Sequence, residues 1–244
     1  LRVEKAADAA ASAHRTSLRD DGVTLVDGKP FFPIGIYSVK KGDANGNSYD
    51  TAFKTLAAAG FNLVHSYVGP RDQEILDAAA RQGLKLFVKA RQPDEWIMKT
   101  GRRHPSILAW YLGDDTCVSE TANGLRENHD AIKAVDPYRL TCQADGVGME
   151  FVSPSYADFV NGTDVFLPEI YPVTLERPDG TEGPRVIRDM KTIAADIKAH
   201  PGRRKSVWPI IQHFEGWGAG KRFPTFAELR AMSYLAVIHG ANGI

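Results

Sequence analysis

The chain has 244 residues, of which 43% are hydrophobic and 25% are charged, a composition that can bury a large core and suits one large α/β domain. Thirty basic residues balance thirty acidic ones, so the chain lacks the basic field that binds nucleic acid or anionic lipid. No apolar run approaches the ~20 residues that span a bilayer, and we expect neither a nucleic-acid partner nor membrane insertion.

Residues 1–22 are rich in alanine but carry no apolar stripe, which predicts a tail or a preface segment rather than core. The first residue is Leu1 rather than Met, which is compatible with a removed signal peptide. We therefore expect an extracytoplasmic or secreted protein, with a cytoplasmic location as the alternative. Cys117 and Cys142 form no metal pattern and predict two separate thiols, with an oxidised pair on neighbouring strands as the alternative.

Regular patterning begins at Val23, so we predict one main domain over 23–244. The stretch VTLVDGKPFF predicts a hairpin whose two-residue turn is Asp27-Gly28. After it, short runs rich in β-branched and aromatic residues alternate with helical patterns, as expected for strands buried on both faces. The runs are FFPIGIYSV (31–39), FNLVHSYV (61–68), LKLFVKA (84–90), ILAWYLG (107–113), LTCQA (140–144), DVFLPEIYPV (164–173), SVWPIIQHF (206–214) and the final ANGI.

The helical patterns between these runs carry recognisable ends. Ser48 predicts the N-cap of a helix that stops at Gly60, and the next helix stops at Gly83. Thr225 and Glu228 predict a capping box ahead of the last helix.

Eight strand-like runs alternating with helices predict a parallel sheet, and their number favours a closed (β/α)8 TIM barrel whose eighth strand is cut short at Ile244. An open doubly wound sheet is the alternative, but no glycine-rich phosphate loop follows the first run. Active sites of barrels lie at the carboxyl ends of the strands, where this chain places many carboxylates and aromatic rings. Several acids meeting at a barrel mouth are what glycoside hydrolysis requires.

The segment HPSILAWYLGDDT, residues 104–116, resembles the fourth-strand motif of clan A glycoside hydrolases of the β-galactosidase and β-glucuronidase type, in which His-Pro-Ser-Ile leads to Gly-Asn-Glu. Other segments resemble parts of these domains in the same order: VDGKPFFPIGIY, GFNLVHSY, VDPYRLT and DVFLPEIYP. The resemblance covers the chain from about residue 23 to its end. It implies a barrel that acts on carbohydrate and needs no cofactor.

On this match Asp114 takes the place of the Asn that holds the sugar 2-hydroxyl, and Asp115 takes that of the acid/base Glu. Asp115 is one methylene shorter than Glu, which displaces the proton by ~1 Å and can cost on the order of 10²-fold in rate. The position of the family's nucleophile on strand seven falls on Phe214, with Glu215 one residue later. Glu169 is the rival for the second carboxylate and shares a face of strand six with Tyr171.

Each of these residues also has a purely structural interpretation. Asp114 or Asp115 would cap the helix that follows strand four. Glu215 would be a solvated loop acid, and Glu169 would pair with Lys89 or Arg91. His65 would be a core histidine rather than a substrate contact.

The first hypothesis is a glycoside hydrolase that acts on an oligo- or polysaccharide, with Asp115 as acid/base and Glu215 or Glu169 as the second carboxylate. The second hypothesis is a non-catalytic carbohydrate-binding barrel within a longer protein. No two histidines and a carboxylate share a helical or strand spacing that would hold zinc, so we expect no catalytic metal. The hydrolase hypothesis also needs no cofactor. The sequence stops before the Trp expected at the end of strand eight. A barrel without its final strand and helix would expose apolar surface and a sheet edge, so we expect another domain or chain segment to complete it. The residues expected to contact the sugar are Asp114, Tyr171, His65, Tyr37, Tyr67, Gln212 and Trp217.

Overall fold

The computed structural model describes residues 14–40, 48–66, 73–99, 101–147, 156–174, 182–199, 204–216 and 222–244. These residues form a small antiparallel sheet and a larger parallel sheet that curls into a half-barrel, with helices packed on its outer face.

The small sheet consists of β1 (Thr16–Leu18), β2 (Thr24–Val26) and β3 (Lys29–Phe31), in that order. β2 and β3 form the predicted hairpin, and its turn residues Asp27 and Gly28 both have positive φ, as a two-residue hairpin turn requires. β1 lies within the predicted preface segment and pairs with β2. Part of that segment therefore packs onto the main domain.

The parallel sheet has seven strand positions in sequence order. β10 and β11 share the seventh position, because both pair with β9 on either side of residues 208–209. This sequential order has no switch point and therefore contradicts the doubly wound alternative. The strands are β4 (Gly35–Ile36), β5 (Leu63–His65), β6 (Lys85–Lys89), β7 (Ile107–Asp114), β8 (Leu140–Gly146), β9 (Val165–Ile170), β10 (Ser206–Val207) and β11 (Ile210–Ile211).

The last residues adopt no regular strand, so the predicted eighth strand is not formed as such. They nevertheless reach both edges of the sheet. The Asn242 amide donates to the Val207 carbonyl at 2.8 Å, beside β10. The Ile244 amide donates to the Pro33 carbonyl at 2.9 Å, and the Gly35 amide donates to the Ile244 carbonyl at 2.8 Å.

The helices begin and end close to the predicted signals. Ser48 accepts a hydrogen bond from the Thr51 amide as the N-cap of the first helix, and Thr225 and Glu228 form the predicted capping box of the last. Residues Gly101–Arg103 form a 3-10 helix. The α-helices in the described ranges are α1 (Tyr49–Ala58), α2 (Gln73–Arg81), α3 (Glu95–Lys99), α4 (Thr116–Ser119), α5 (Ala122–Val135), α6 (Tyr156–Val160), α7 (Glu182–Ala199) and α8 (Phe226–Ile238).

Two apolar cores lie on the two faces of the curled sheet. The outer core joins the sheet to the helices and includes Trp110 and Phe166. The inner core fills the concave side and includes Phe87, Tyr111 and Leu167. Away from the irregularities of β7, neighbouring residues of a strand alternate between the two cores, so sequence parity identifies the inner face.

The two cysteines belong to different cores, Cys117 to the outer and Cys142 to the inner. Both are free and buried, which confirms the prediction of two separate thiols. In the part of the chain that the structure describes, no helix is both long and apolar enough to cross a membrane.

Candidate active site at the carboxyl ends of the parallel strands

The small sheet covers the amino ends of the parallel strands. Thr16 connects it to both β7 and β8, because its hydroxyl donates to the Leu108 carbonyl at 2.8 Å and accepts from the Leu140 amide at 3.0 Å. This cover closes one end of the concave inner face. The carboxyl ends of the strands, at the opposite end, are where the predicted site residues lie.

A bulge in β7 determines where Asp114 lies. Tyr111 pairs with Cys142 of β8, but the next pair is Gly113 with Gln143, so Leu112 is an extra residue on β7. The shift places Asp114 beside Ala144, which belongs to the inner core. Without the extra residue, the alternation of side chains along β7 would place Asp114 on the outer face. The bulge therefore brings the Asp114 carboxylate to the site.

The Asp114 carboxylate accepts a hydrogen bond from the Tyr37 hydroxyl at 3.3 Å. The same hydroxyl lies 2.5 Å from the hydroxyl of Tyr111. Asp114 is thus joined to an inner-face tyrosine of its own strand through Tyr37, beyond the end of β4. The predicted residues Tyr37 and Asp114 therefore do come together.

Glu169 lies on the inner face of β9, because Val165 and Leu167 of the same parity belong to the inner core. Burial raises the pKa of the Glu169 carboxyl to about 8, and the negative charges of Asp114 and Asp115 contribute in the same direction. A hydrogen bond from the Tyr171 side chain opposes this shift. These effects favour the protonated form of the Glu169 carboxyl near neutral pH.

Asp115 follows β7 and is exposed. Its backbone is left-handed, with φ 47° and ψ 45°, and its side chain makes no capping hydrogen bond to α4. Partial desolvation, and then the charge of Asp114, raise the pKa of its carboxyl. The cap interpretation of Asp115 is therefore wrong for its side chain, which stays available at the strand end.

Asp145 of β8 takes over the capping of α4. Its Oδ1 accepts from the Cys117 amide at 2.8 Å, and its Oδ2 accepts from the Thr116 hydroxyl at 2.6 Å. The Asp145 side chain is fully buried, and burial raises its pKa although these hydrogen bonds oppose the shift.

A cluster of rings forms one wall of the inner face next to Asp114. His65 stacks on Phe87 with ring centroids 4.4 Å apart, and lies 4.8 Å from both Tyr37 and Tyr111. His65 is 1% exposed, and its Nδ1 lies 3.2 Å from the Phe87 carbonyl oxygen. Burial, and then the charge of Lys89, lower its pKa to about 4. A neutral, buried ring beneath the tyrosines favours the core interpretation of His65, and its contact with a sugar stays a prediction.

Gln212 is fully buried and holds together the loops that follow the last two strands. Its Oε1 accepts from the Val173 amide at 2.9 Å, and its Nε2 donates to the carbonyls of Val173 at 3.0 Å and Arg222 at 3.1 Å. Since both ends of the amide are used by the backbone, the geometry gives Gln212 a structural role. Its predicted contact with substrate finds no support in this arrangement.

Glu215, the other candidate for the second carboxylate, is exposed beyond the end of β11. The principal charges that raise the Glu169 pKa come from Asp114, Asp115 and Asp145 rather than from Glu215. The neighbouring Phe214 packs edge-on against Tyr171, with ring centroids 4.8 Å apart.

The predicted ion pair between Glu169 and Lys89 or Arg91 has no support in this geometry, because a cation partner would lower the Glu169 pKa rather than accompany a raised one. Arg91 forms its salt bridge with Glu120 instead. Of the other predicted residues, Tyr67 and Trp217 lie outside the described residues. Within the described ranges, no three His, Cys, Asp or Glu side chains are arranged to hold a metal ion.

Sequence reasoning missed the roles of two residues, one in the site and one behind it. Tyr111 was assigned only to a buried strand, although its parity with Ala109 would have placed it on the inner face. The capping role of Asp145 had no local signal, because it acts on a helix 28 residues earlier in the chain.

No protein-family model matches the sequence, and no curated protein matches it. Solved structures with a similar fold include a glycosyl hydrolase family 2 (GH2) β-galacturonidase from Eisenbergiella tayi bound to galacturonate, with a TM-score of 0.64 and 17% identity over 94% of this chain and 46% of that chain. A β-D-glucuronidase of Dictyoglomus thermophilum aligns with a TM-score of 0.63 and 15% identity over 94% of this chain and 46% of that chain. A GH2 member from Bacteroides cellulosilyticus aligns with a TM-score of 0.59 and 15% identity over 94% of this chain and 29% of that chain.

The chain spans less than half the length of each of these proteins. At identities this low the similarity establishes the fold alone. The chain therefore has a glycoside hydrolase-like fold, and its chemistry depends on the residues described above.

Proposed function

We propose that this chain is the catalytic domain of a glycoside hydrolase that uses Glu169 and Asp115 as its two carboxyl groups. The observation that carries the proposal is the position of Glu169 on the inner face of β9, where burial and the nearby carboxylates of Asp114 and Asp115 raise its pKa. One carboxyl that keeps its proton beside another that loses it is the pairing that glycoside hydrolysis needs.

The raised pKa of Glu169 and the exposure of Asp115 indicate a different catalytic role for each carboxyl group. Glu169, with a pKa of about 8, donates a proton to the leaving oxygen at neutral pH. Asp115 is exposed at the end of β7 and acts as the ionised partner, either on water or on the anomeric carbon. This division reverses the acid/base role that the family resemblance implies for Asp115.

Sugar binding is assigned to the polar groups of the same face. Asp114 is held by the Tyr37 hydroxyl and accepts a hydrogen bond from a sugar hydroxyl, and Tyr171 lies beside Glu169. Tyr67 and Trp217, which lie outside the described residues, are further proposed contacts with the sugar.

We also propose that the whole protein forms a closed (β/α)8 barrel with residues 241–244 opening the eighth strand. The hydrogen bonds of Asn242 and Ile244 to opposite edges of the sheet support this proposal.

The test is hydrolysis of a panel of aryl glycosides and oligosaccharides that includes neutral and uronic acid sugars, because the solved neighbours named above include a glucuronidase and a galacturonidase. We expect Glu169→Gln and Asp115→Asn each to lower kcat by about 10²- to 10⁴-fold. Glu95→Gln, on the exposed surface of α3, is the matched control and should leave kcat unchanged. A large loss in Glu215→Gln with none in Glu169→Gln would show that the second carboxylate is Glu215.

NMR of the product anomer gives the stereochemistry. Retention corresponds to carboxyl groups ~5 to 5.5 Å apart, and inversion to a separation of ~6.5 to 9.5 Å. Retention would therefore make Asp115 the nucleophile, whereas inversion would make it the base that activates water.

A non-catalytic carbohydrate-binding barrel is the second candidate, favoured by the shorter Asp at the position where the resembling family carries Glu. Calorimetry on the same oligosaccharides separates the two functions. Binding without turnover, unchanged in Asp115→Asn, would remove the hydrolase proposal and leave the binding module.

A further inference from the structure

The turn between β7 and α4 has an unusual division of roles. Asp115 occupies the N-cap position of α4 but has left-handed backbone angles, with φ 47°. An Asp at an N-cap ordinarily has extended backbone angles and accepts a hydrogen bond from the amide two or three residues later. Here the residue best suited to cap the helix does not cap it, and a side chain other than glycine adopts a sparsely populated conformation.

The missing hydrogen bonds come from a distant residue. The Cys117 amide, two residues after Asp115, donates to Asp145, and the Thr116 hydroxyl donates to the other oxygen of the same carboxylate. Cys142 and Ala144 face the inner core, so Gln143 and Asp145, which alternate with them, lie on the outer face of β8. Asp145 is therefore behind the barrel mouth, the open end of the inner face at the carboxyl ends of the strands.

The capping carboxylate is itself fixed. The amide nitrogen of Gln143 donates to Asp145 at 3.1 Å and to the Phe159 carbonyl at 2.7 Å, and the side chains of Thr116, Gln143 and Asp145 are fully buried. The turn is also tightly packed at Gly113, since a Cβ added there would lie 2.9 Å from the Thr116 side chain.

We propose that Asp145 is a positioning residue, which caps α4 in place of Asp115 and thereby keeps the Asp115 carboxylate at the mouth. The inference rests on the proposed function, because it assigns Asp145 a role through Asp115. If Asp145 were lost, the Cys117 amide would have no acceptor. Asp115 would then relax to an extended backbone and turn its carboxylate onto the helix, away from the substrate.

The first experiment does not depend on activity. In a crystal structure of Asp145→Ala we expect Asp115 to have negative φ, with a carboxylate oxygen within hydrogen-bond distance of the Cys117 or Val118 amide. Asp145→Asn keeps one acceptor for the Cys117 amide and should retain the left-handed Asp115. If Asp145→Ala does not fold, the Asn variant and Asp145→Ser receive the same analysis, and Ser, whose shorter side chain cannot reach the helix, should show the released Asp115.

The second experiment measures coupling. We expect Asp145→Ala to lower kcat about 100-fold, with KM changed less than about threefold, because a misplaced carboxylate loses rate rather than binding. Added formate can replace the carboxylate that Asp115→Ala lacks. The rate that formate restores should be the same in Asp115→Ala and in the double variant with Asp145→Ala, because Asp145 acts only through the Asp115 carboxylate. Asp164→Asn is the control, because Asp164 also accepts the Thr141 amide and the Lys133 ammonium but lies at the amino ends of the strands. It should lower stability and leave kcat unchanged.

Two results would overturn the proposal: an Asp115 that stays left-handed in the Asp145→Ala structure, or a loss of kcat that persists in the formate-rescued Asp115→Ala background. If the wild-type chain hydrolyses no glycoside, the proposed function fails, while the crystal structure still decides whether Asp145 releases Asp115.

Discussion

The pKa of Glu169 leads to a test of the site through protein stability, without knowledge of the substrate. The variant is Glu169→Gln, which keeps the shape of the side chain and removes its titration. In the unfolded chain the carboxyl has its ordinary pKa of 4.5, whereas in the folded protein burial and the charges of Asp114 and Asp115 raise the pKa to about 8.

Between these two pKa values the folded protein holds one more proton than the unfolded chain. The free energy of unfolding therefore falls as pH rises, by about 1.4 kcal/mol per pH unit. Below the pKa of the unfolded chain, Glu169 is protonated in both states and causes no loss of stability. Above the pKa of the folded protein, the loss of stability no longer changes with pH. Over the whole window the loss amounts to at most about 5 kcal/mol.

The assay is urea unfolding followed by circular dichroism between pH 4 and pH 9. We expect the wild type to lose stability relative to Glu169→Gln across this window, and Glu95→Gln to follow the wild type. Asp114→Asn removes one of the charges that raise the Glu169 pKa, so the fall in stability should end at a lower pH than in the wild type. A difference between wild type and Glu169→Gln that does not change with pH would refute the placement of Glu169 among the carboxylates.

Two further predictions concern residues beside the site. Tyr171→Phe removes a hydrogen bond that lowers the Glu169 pKa, so the alkaline end of the stability window should move to higher pH in the same urea titrations. Gln212→Leu leaves the buried Val173 amide without its side-chain acceptor and should lower the free energy of unfolding by about 1–3 kcal/mol. Its KM for any hydrolysed glycoside should stay within about twofold of the wild type, and a large rise in KM would instead restore Gln212 as a substrate contact.

Much of the fold could be predicted because its signals are local. Hairpin chemistry at Asp27-Gly28, the cap at Ser48 and the capping box at Thr225 each depend on a few adjacent residues, and the structure confirms all three. Seven of the apolar runs became the parallel strand positions for the same reason. The hydrogen bonds of Asn242 and Ile244 to the two opposite edges of the sheet join residues that are far apart in the sequence, and a strand pattern does not encode them.

The candidate site was predictable only in part. Period-two alternation placed Glu169 and Tyr171 on one face, and the structure brings their side chains together. The same rule fails for Asp114, because the extra Leu112 changes the parity of the strand end. The choice between Glu169 and Glu215 stayed open in the sequence, since both lie near the carboxyl ends of strands of the same sheet.

The sequence by itself determined which elements form and which acids stand at the strand ends, because propensity, alternation and capping act over a few residues. Only the tertiary structure decided which of those acids are neighbours and which have a raised pKa. A pKa depends on burial and on charges brought together from β7 and β9, and the availability of Asp115 depends on a carboxylate supplied by β8. These effects arise from proximity in space, which the order of residues along the chain does not specify.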